Sequence, residues 1–416
     1  MLSKINKSEF IKNVFTLMTG TAIAQAIPFL ISPVLSRLYT PDDFGVFALF
    51  LSIPAVIGVI STGRYELAIM LPKEKRTARN IIILSLIIAC LVSLVTFILI
   101  IIFKQFIVDF FEAPEIGPWL YLIPVMVLFM GIYQTFNYWS IRNKTFRKNA
   151  ISRISQSGSI SATQLALGAA NVGPGGLIAG TIIGQMTAAI ILAWRTITRP
   201  RKLREACSKK LIMENASRYS IFLKINTPHA FIDSLQDQGI VYVVIYFFSK
   251  MVLGSYAFAY RILKAPVGLI GSSMYQVFYQ KASKAFQEGQ DIQPMVLKIY
   301  RNLFLIGFPI FFLIFLFAPS LFTFVYGEKW KLAGEIAQII IPWLFLNFLV
   351  MPVSCIAVVM NKQKGAFLIS CADVLLKVFA LVIGGLYGDF KLAFMIMSIL
   401  CSGLLIFALY WYYKIA

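Results

Sequence analysis

The chain has one histidine, His229, and only 18 acidic residues among 416 positions, and charged residues of both signs make up 13%. A single imidazole removes Ser-His and Cys-His catalysis unless that one residue supplies it. Soluble globular domains carry roughly 25% charged residues, so water is not the main solvent of this chain. Of the five cysteines, Cys90, Cys207, Cys355, Cys371 and Cys401, no two form a CxxC spacing, and all but Cys207 lie in apolar runs. They read as small hydrophobes, with neither a disulfide framework nor a metal site. Contiguous basic patches with interleaved aromatics are missing too. The net charge of +20 sits in short turns between apolar runs, which argues against a nucleic-acid partner. No polar stretch is long enough to fold as a soluble domain of its own, so a catalytic domain hung on an anchor is excluded.

What the chain does have is hydrophobic sequence, 59% of it. Apolar runs long enough to cross a hydrocarbon core of about 30 Å recur along its whole length. They predict an all-α integral membrane protein with about twelve spans: Val14 to Leu38, Phe44 to Ile69, Ala78 to Phe103, Pro118 to Trp139, Ala150 to Ala170, Gly176 to Trp194, Tyr219 to Phe248, Gly254 to Phe278, Asn302 to Pro319, Gly334 to Met360, Gly365 to Tyr387 and Leu392 to Tyr413. The first run, behind Lys4, Lys7 and Lys12 and containing Ala22-Ile23-Ala24, is similar to a signal peptide. Apolar sequence continues through Pro28, Pro33 and Leu35, so it is read as an uncleaved span.

Lysine and arginine are divided unevenly between alternate connections. Arg37, Lys104, Lys250, Lys329, Lys331 and Lys391 fall on one side, Lys224, Arg261, Lys264 and Lys377 fall within spans, and the rest of the 38 cations fall on the other side. By the positive-inside rule both termini are cytoplasmic and the span number is even. The basic linker near the midpoint divides the chain into a bundle over 1–196, a cytoplasmic linker over 197–216 and a bundle over 217–416. A weak repeat supports two halves: Tyr39-Thr40 through Gly45-Val46-Phe47-Ala48 aligns with Phe248-Ser249 through Gly254-Ser255-Tyr256-Ala257 at an offset of 209 residues. Six spans per half give the halves one orientation and a pseudo-twofold axis along the membrane normal, with a substrate site between them near mid-membrane. Prolines inside spans, such as Pro54, Pro124, Pro266 and Pro342, suit that architecture, although membrane helices tolerate proline in any case.

Ionisable groups inside spans carry the most information, because each costs at least ~2.5 kcal/mol at the bilayer centre without a partner or water. Arg261 and Lys264 lie on the eighth span, roughly 15 Å from its outer end, and two cations there imply a wet, electropositive cavity. Arg64, Arg153 and Lys224 extend the cationic set. Glu66, Asp233, Asp237, Asp373 and Lys377 are candidates for ion coupling or for plain charge pairing; the i, i+4 spacing of Asp373 and Lys377 already explains that pair, and Asp233 or Asp237 has Arg261 as a counter-charge. A polar stripe on the fifth span, Ser152, Ser155, Gln156, Ser159 and Thr163, with Tyr133, Gln134, Asn137 and Tyr138 on the fourth, offers hydroxyls and amides along a path for a polar substrate. The competing explanation is helix packing through small polar residues, and Gly176, Gly180 and Gly184 read as a packing ridge.

At Ser36-Arg37-Leu38-Tyr39-Thr40-Pro41-Asp42-Asp43-Phe44-Gly45, at Gly63-Arg64-Tyr65-Glu66-Leu67-Ala68-Ile69, and from Gly254-Ser255-Tyr256-Ala257 through Arg261 and Pro266 to Val277-Phe278, the chain resembles Wzx-type polysaccharide-biosynthesis flippases of the multidrug/oligosaccharidyl-lipid/polysaccharide (MOP) exporter superfamily. The resemblance covers nearly the whole length, on short and mostly structural motifs. It implies two six-helix bundles around a cationic cavity. It also implies export of undecaprenyl-pyrophosphate-linked repeat units, of O-antigen or a similar surface polysaccharide, from the cytoplasmic to the periplasmic leaflet of a bacterial inner membrane. Only Arg64, Glu66 and Arg261 carry over by position. No cofactor is expected beyond a coupling H+ or Na+; the partners expected are the lipid-linked oligosaccharide, membrane lipids and the polysaccharide polymerase machinery. Two other readings stay open: a cation-coupled multidrug exporter of the same superfamily, which favours an acidic aromatic cavity, and a membrane glycan polymerase or ligase, which should carry a large outer loop.

Overall fold

The computed structural model describes residues 2–198 and 207–416; within them, the side chains of 2–18, 195, 197, 236, 237, 269, 272, 273 and 276 are not described. Among the described residues there is no strand. Twelve long helices follow one another: α1 (Leu2–Leu38), α2 (Pro41–Ile60), α3 (Lys75–Phe110), α4 (Ile123–Arg142), α5 (Phe146–Ala169), α6 (Pro174–Thr198), α7 (Thr227–Phe247), α8 (Lys250–Gln287), α9 (Gln293–Tyr326), α10 (Lys331–Val353), α11 (Gln363–Leu386) and α12 (Phe390–Ile415). Each matches one expected span, in order. Among the described residues eight helices are long and apolar enough to cross a membrane by themselves, and Pro114–Leu120 taken with α4, bent by 51°, makes a ninth if the pair is one span. α5, α7 and α8 fall short because polar residues interrupt them, and these are the helices that carry Arg153, Lys224, Asp233, Arg261 and Lys264 or adjoin them.

Two element ends differ from expectation for identifiable reasons. The second span was expected to run to Ile69, but α2 stops at Ile60, because Gly63 and Arg64 take positive φ values of 58° and 60° that no right-handed helix accommodates. A four-residue helix, Tyr65–Ala68, follows. The fourth span bends where Pro124, near the start of α4, lacks the N–H that would continue the preceding turn.

The chain forms two compact units, Met1–Tyr39 with Val46–Gln238 and Thr40–Gly45 with Gly239–Ala416. In the first, α5 packs between α1 and α6, and α4 packs on α3 and α6. The α6 glycines permit this approach: a Cβ at Gly180 would lie 2.6 Å from Gln164 Cγ, one at Gly184 2.2 Å from Ile160 Cγ1, and one at Gly176 2.3 Å from the Tyr39 hydroxyl. In the second unit α10 is central, buried through Ile336, Ala337, Ile340, Ile341 and Leu344 against α8, α9 and α12. α3 and α9 instead expose apolar side chains such as Leu94, Ile101, Phe106, Leu305, Phe308 and Phe324, as lipid-facing helices do.

The residues Tyr39 to Gly45 are a cap followed by a helix crossing. Thr40 and Asp43 form a capping box: Asp43 Oδ2 accepts from the Thr40 N–H and hydroxyl, both at 2.8 Å, and Thr40 Oγ1 accepts from the Asp43 N–H at 3.2 Å. Pro41 opens α2 where its missing N–H costs nothing. Within the second unit this first turn of α2 crosses the first turn of α8 at two glycines. A Cβ at Gly45 would lie 2.1 Å from the Lys250 carbonyl oxygen, and one at Gly254 would lie 1.7 Å from that of Pro41. Both pairs are related by the 209-residue offset. Phe44 then stands edge-on to Phe258 and to fully buried Trp330, with centroids 5.1 and 5.2 Å away.

Part of the basic midpoint segment is helical. Lys209–Arg218 is capped by Ser208, and its apolar side, Ile212 and Ala216 with the following Tyr219, packs on Tyr65, Ile69, Ile81 and Ile82. Asn80 Oδ1 accepts from the Ser208 N–H at 3.0 Å, and the Ala216 carbonyl accepts from the Tyr65 hydroxyl at 2.8 Å. Residues 199–206 of the expected linker lie outside the described residues.

Candidate functional site

In the first unit the break after α2 builds a small charged centre. Glu66 is 1% exposed and accepts from the Thr62 hydroxyl, and the Arg64 guanidinium lies 3.7 Å from its carboxylate. Arg64 Nε is buried without a hydrogen-bond partner. The segment is held from the far side by Arg142, whose Nη1 donates to the Ile69 carbonyl at 2.8 Å and whose Nη2 donates to that of Pro72 at 2.5 Å. A buried carboxylate, a neighbouring guanidinium and a left-handed backbone are thus fixed by their surroundings, as strained functional segments are.

The polar stripe of α5 divides by role. Ser152 donates to the Ala188 carbonyl at 2.9 Å and Gln156 donates to Gln185 Oε1 at 2.8 Å, so these two join α5 to α6. Ser155, Ser159 and Thr163 are half-buried and make no side-chain hydrogen bond among the described residues, and Gln134 of α4 is in the same condition. Asn137 accepts from the Asn149 amide at 2.8 Å. Arg153 donates to the Thr21 hydroxyl at 2.8 Å, a neutral partner, and has no carboxylate partner among the described residues.

Ahead of α7 the chain makes a π-helical turn, Phe222–Asn226, which carries exposed Lys224. Wide turns of this kind recur at functional positions. His229 Nδ1 lies 3.0 Å from the carboxylate of Asp233 one turn on, with both side chains more than half exposed. Ser234 donates to the Ala55 carbonyl of α2 at 3.1 Å. The side chain of Asp237 lies outside the described residues.

In the second unit an aromatic ladder carries the cations. Tyr256 stacks on Tyr260 and Tyr260 on Trp343, with centroids 5.7 and 5.9 Å apart. Lys264 donates to the Tyr260 hydroxyl at 2.6 Å and lies 4.7 Å from the centre of that ring, and Lys377 lies 4.8 Å from the centre of the Trp343 ring. Lys377 is also paired with Asp373. Arg261, beside Tyr260, is half-buried and has no carboxylate partner among the described residues.

The expected site residues thus fall into two groups. Arg64, Glu66, Gln134, Asn137, Arg153, Ser155, Gln156, Ser159, Lys224 and Asp233 belong to the first unit, and Arg261, Lys264, Asp373 and Lys377 to the second. Sequence reasoning missed Thr62, Tyr260 and Trp343. Tyr260 was open to discovery from its i, i+4 spacing to Lys264. Trp343 sits in an apolar run with no local signal, because its partners come from other helices.

The order of helices along the chain is shared with solved transporters described as members of the MOP superfamily. The chain superimposes on an inward-facing MATE-family multidrug resistance transporter with a TM-score of 0.70 at 16% identity, covering 94% of this chain and 93% of that one. For the lipid II flippase MurJ in an inward closed conformation the TM-score is 0.73 at 14% identity, with 96% and 87% covered. A MOP-superfamily transporter from Pyrococcus furiosus, described as having a binding pocket of reverse polarity, gives 0.62 at 14% identity, with 96% and 94% covered. No curated protein matches in sequence. The chain belongs to the polysaccharide biosynthesis protein family, whose sequence profile matches residues 34–334. It is a multi-pass membrane protein, and it shares its fold with these solved transporter structures.

Proposed function

We propose that the protein is a flippase that carries undecaprenyl-pyrophosphate-linked oligosaccharide repeat units, of O-antigen or a similar surface polysaccharide, from the cytoplasmic to the periplasmic leaflet of a bacterial inner membrane by alternating access. Family membership and the likeness to a lipid II flippase support a lipid-linked substrate. The observation that carries the reading is the pairing of the intrahelical cations. Arg153 and Lys264 bond neutral hydroxyls, and Arg261 and Lys224 have no carboxylate partner among the described residues. A cation at membrane depth that has no acidic partner among the described residues is open to an anion brought in through a water-filled path. A pyrophosphate is such an anion, and moving it outward from a negative interior gains about 2.3 kcal/mol per charge per 100 mV.

In this scheme Arg261 and Lys264, helped by Arg64, Arg153 and Lys224, receive the pyrophosphate or an acidic sugar. The unbonded polar side chains of Gln134, Ser155 and Ser159 face the glycan, and Asp233 and Asp237 exchange H+ or Na+. Both termini are cytoplasmic, and the polysaccharide polymerase machinery takes the delivered unit. The double substitution Arg261→Ala with Lys264→Ala abolishes glycan export in cells lacking the native protein, at unchanged membrane levels. Intact export at normal levels would overturn the assignment.

A further inference from the structure

Near the loop between α8 and α9, within the second unit, the two helices enclose a cavity of about 470 Å³. Its bed is hydrocarbon: Met274 and Phe278 from α8, Met295 and Ile299 from α9. Two ammonium groups also line it, Lys281 from α8 and Lys298 from α9, with the Asn302 amide one turn along from Lys298. Both lysines are exposed, and neither has an ion pair or hydrogen bond among the described residues. Lys284, one turn past Lys281, is different: its ammonium lies 3.5 Å from the Glu288 carboxylate.

An apolar bed with two unpaired cations matches one ligand chemistry, a hydrocarbon chain that carries an anionic phosphate. Basic pockets between spanning helices bind such headgroups. The setting fits, because Leu303 begins the long apolar stretch of α9 directly after Asn302, which puts the lysines at the boundary between hydrocarbon and water. The apolar bed is short: Met274 to Phe278 and Met295 to Ile299 each span about one helical turn, roughly 6 Å, so it contacts the part of one acyl chain next to its headgroup. We infer that the cavity between α8 and α9 binds an anionic phospholipid, one acyl chain lying on Met274, Phe278, Met295 and Ile299 and its phosphate held by Lys281 and Lys298. This site is separate from the residues assigned to export, and the inference does not depend on what the protein exports.

The test is binding of dioleoylphosphatidylglycerol to the full-length purified protein in detergent, read as the ligand-dependent rise in melting midpoint, with dioleoylphosphatidylcholine as the neutral reference. The expected result is a saturable rise with the anionic lipid alone. Lys281→Gln with Lys298→Gln weakens apparent affinity about thirtyfold, following the loss of two lysine contacts near a lipid surface. Ile299→Trp, which fills the bed and keeps both charges, weakens it as well, and Lys284→Gln leaves it within twofold. Equal loss in Lys284→Gln would mean general surface charge and overturn the proposal. So would undiminished binding in the double variant, an equal rise with glycerol 3-phosphate, or tighter binding of a polyprenyl phosphate than of the phospholipid. Because both lysine changes are at exposed positions, the double variant folds, and its own midpoint without lipid checks that.

Discussion

Arg64 holds its backbone at φ 60° directly after Gly63 at 58°. A side chain in the left-handed region costs roughly 1 to 2 kcal/mol, and glycine removes most of that cost. Arg64→Gly and Arg64→Ala both delete the guanidinium beside Glu66 and differ only in this backbone strain. The glycine variant is therefore expected to be the more stable by about 1 kcal/mol in denaturant titration of the detergent-solubilised protein; the reverse order would mean that the segment leaves the left-handed region. This centre was half legible in the sequence. Charge at the end of a span marked Arg64 and Glu66, but the Thr62 bond and the helix break depend on conformation. A run containing Gly63, Arg64 and Tyr65 continues a hydropathy window without interruption, which is why the second span was expected to reach Ile69.

Helix by helix, legibility followed polarity. α3 and α9 are the long, strongly apolar runs that hydropathy placed as spans, and they expose apolar side chains such as Leu94 and Phe308. α5, α7 and α8 announced themselves through polar residues in otherwise apolar runs, but which polar groups join helices and which stay unbonded depends on neighbours. Ser152 and Gln156 meet α6, whereas Ser155, on the same stripe, has no side-chain hydrogen bond among the described residues. The Asp373 and Lys377 pair on α11 was readable from spacing, and its partner ring Trp343 was not. Both side chains of the pair are less than one quarter exposed, 23% for Asp373 and 15% for Lys377. Breaking a mostly buried pair leaves an uncompensated charge, at a cost of about 3 kcal/mol. Asp373→Asn accordingly lowers the melting midpoint by several degrees, whereas Asp373→Asn with Lys377→Met recovers most of the loss, and the double-mutant cycle returns a favourable coupling energy. Additive single effects would show that the two groups do not stabilise one another.

At the scale of the whole chain, the segments that resemble the family most closely are structural: a capping box, a proline at a helix start and two glycines at a crossing. Gly45 and Gly254 have no space for a methyl group, and the atoms in the way are backbone oxygens that cannot rotate aside. Gly254→Ala is expected to fall to a small fraction of the native folded yield, measured as the monodisperse peak in size-exclusion chromatography, and Gly45→Ala to do the same. A native-like profile for either would mean that the two helices can slide apart at little cost.

That crossing is reciprocal: each glycine meets the carbonyl that stands, after a shift of 209 residues, where its own neighbour stands. Because the opposing atoms are main chain, the match survives although one side has Pro41 and the other Lys250. A polypeptide of half this length with one such glycine would meet a second copy of itself through the same atoms. Side chains around the crossing are therefore free to differ in charge on its two sides, while neither glycine can take on a methyl group without moving a main-chain oxygen.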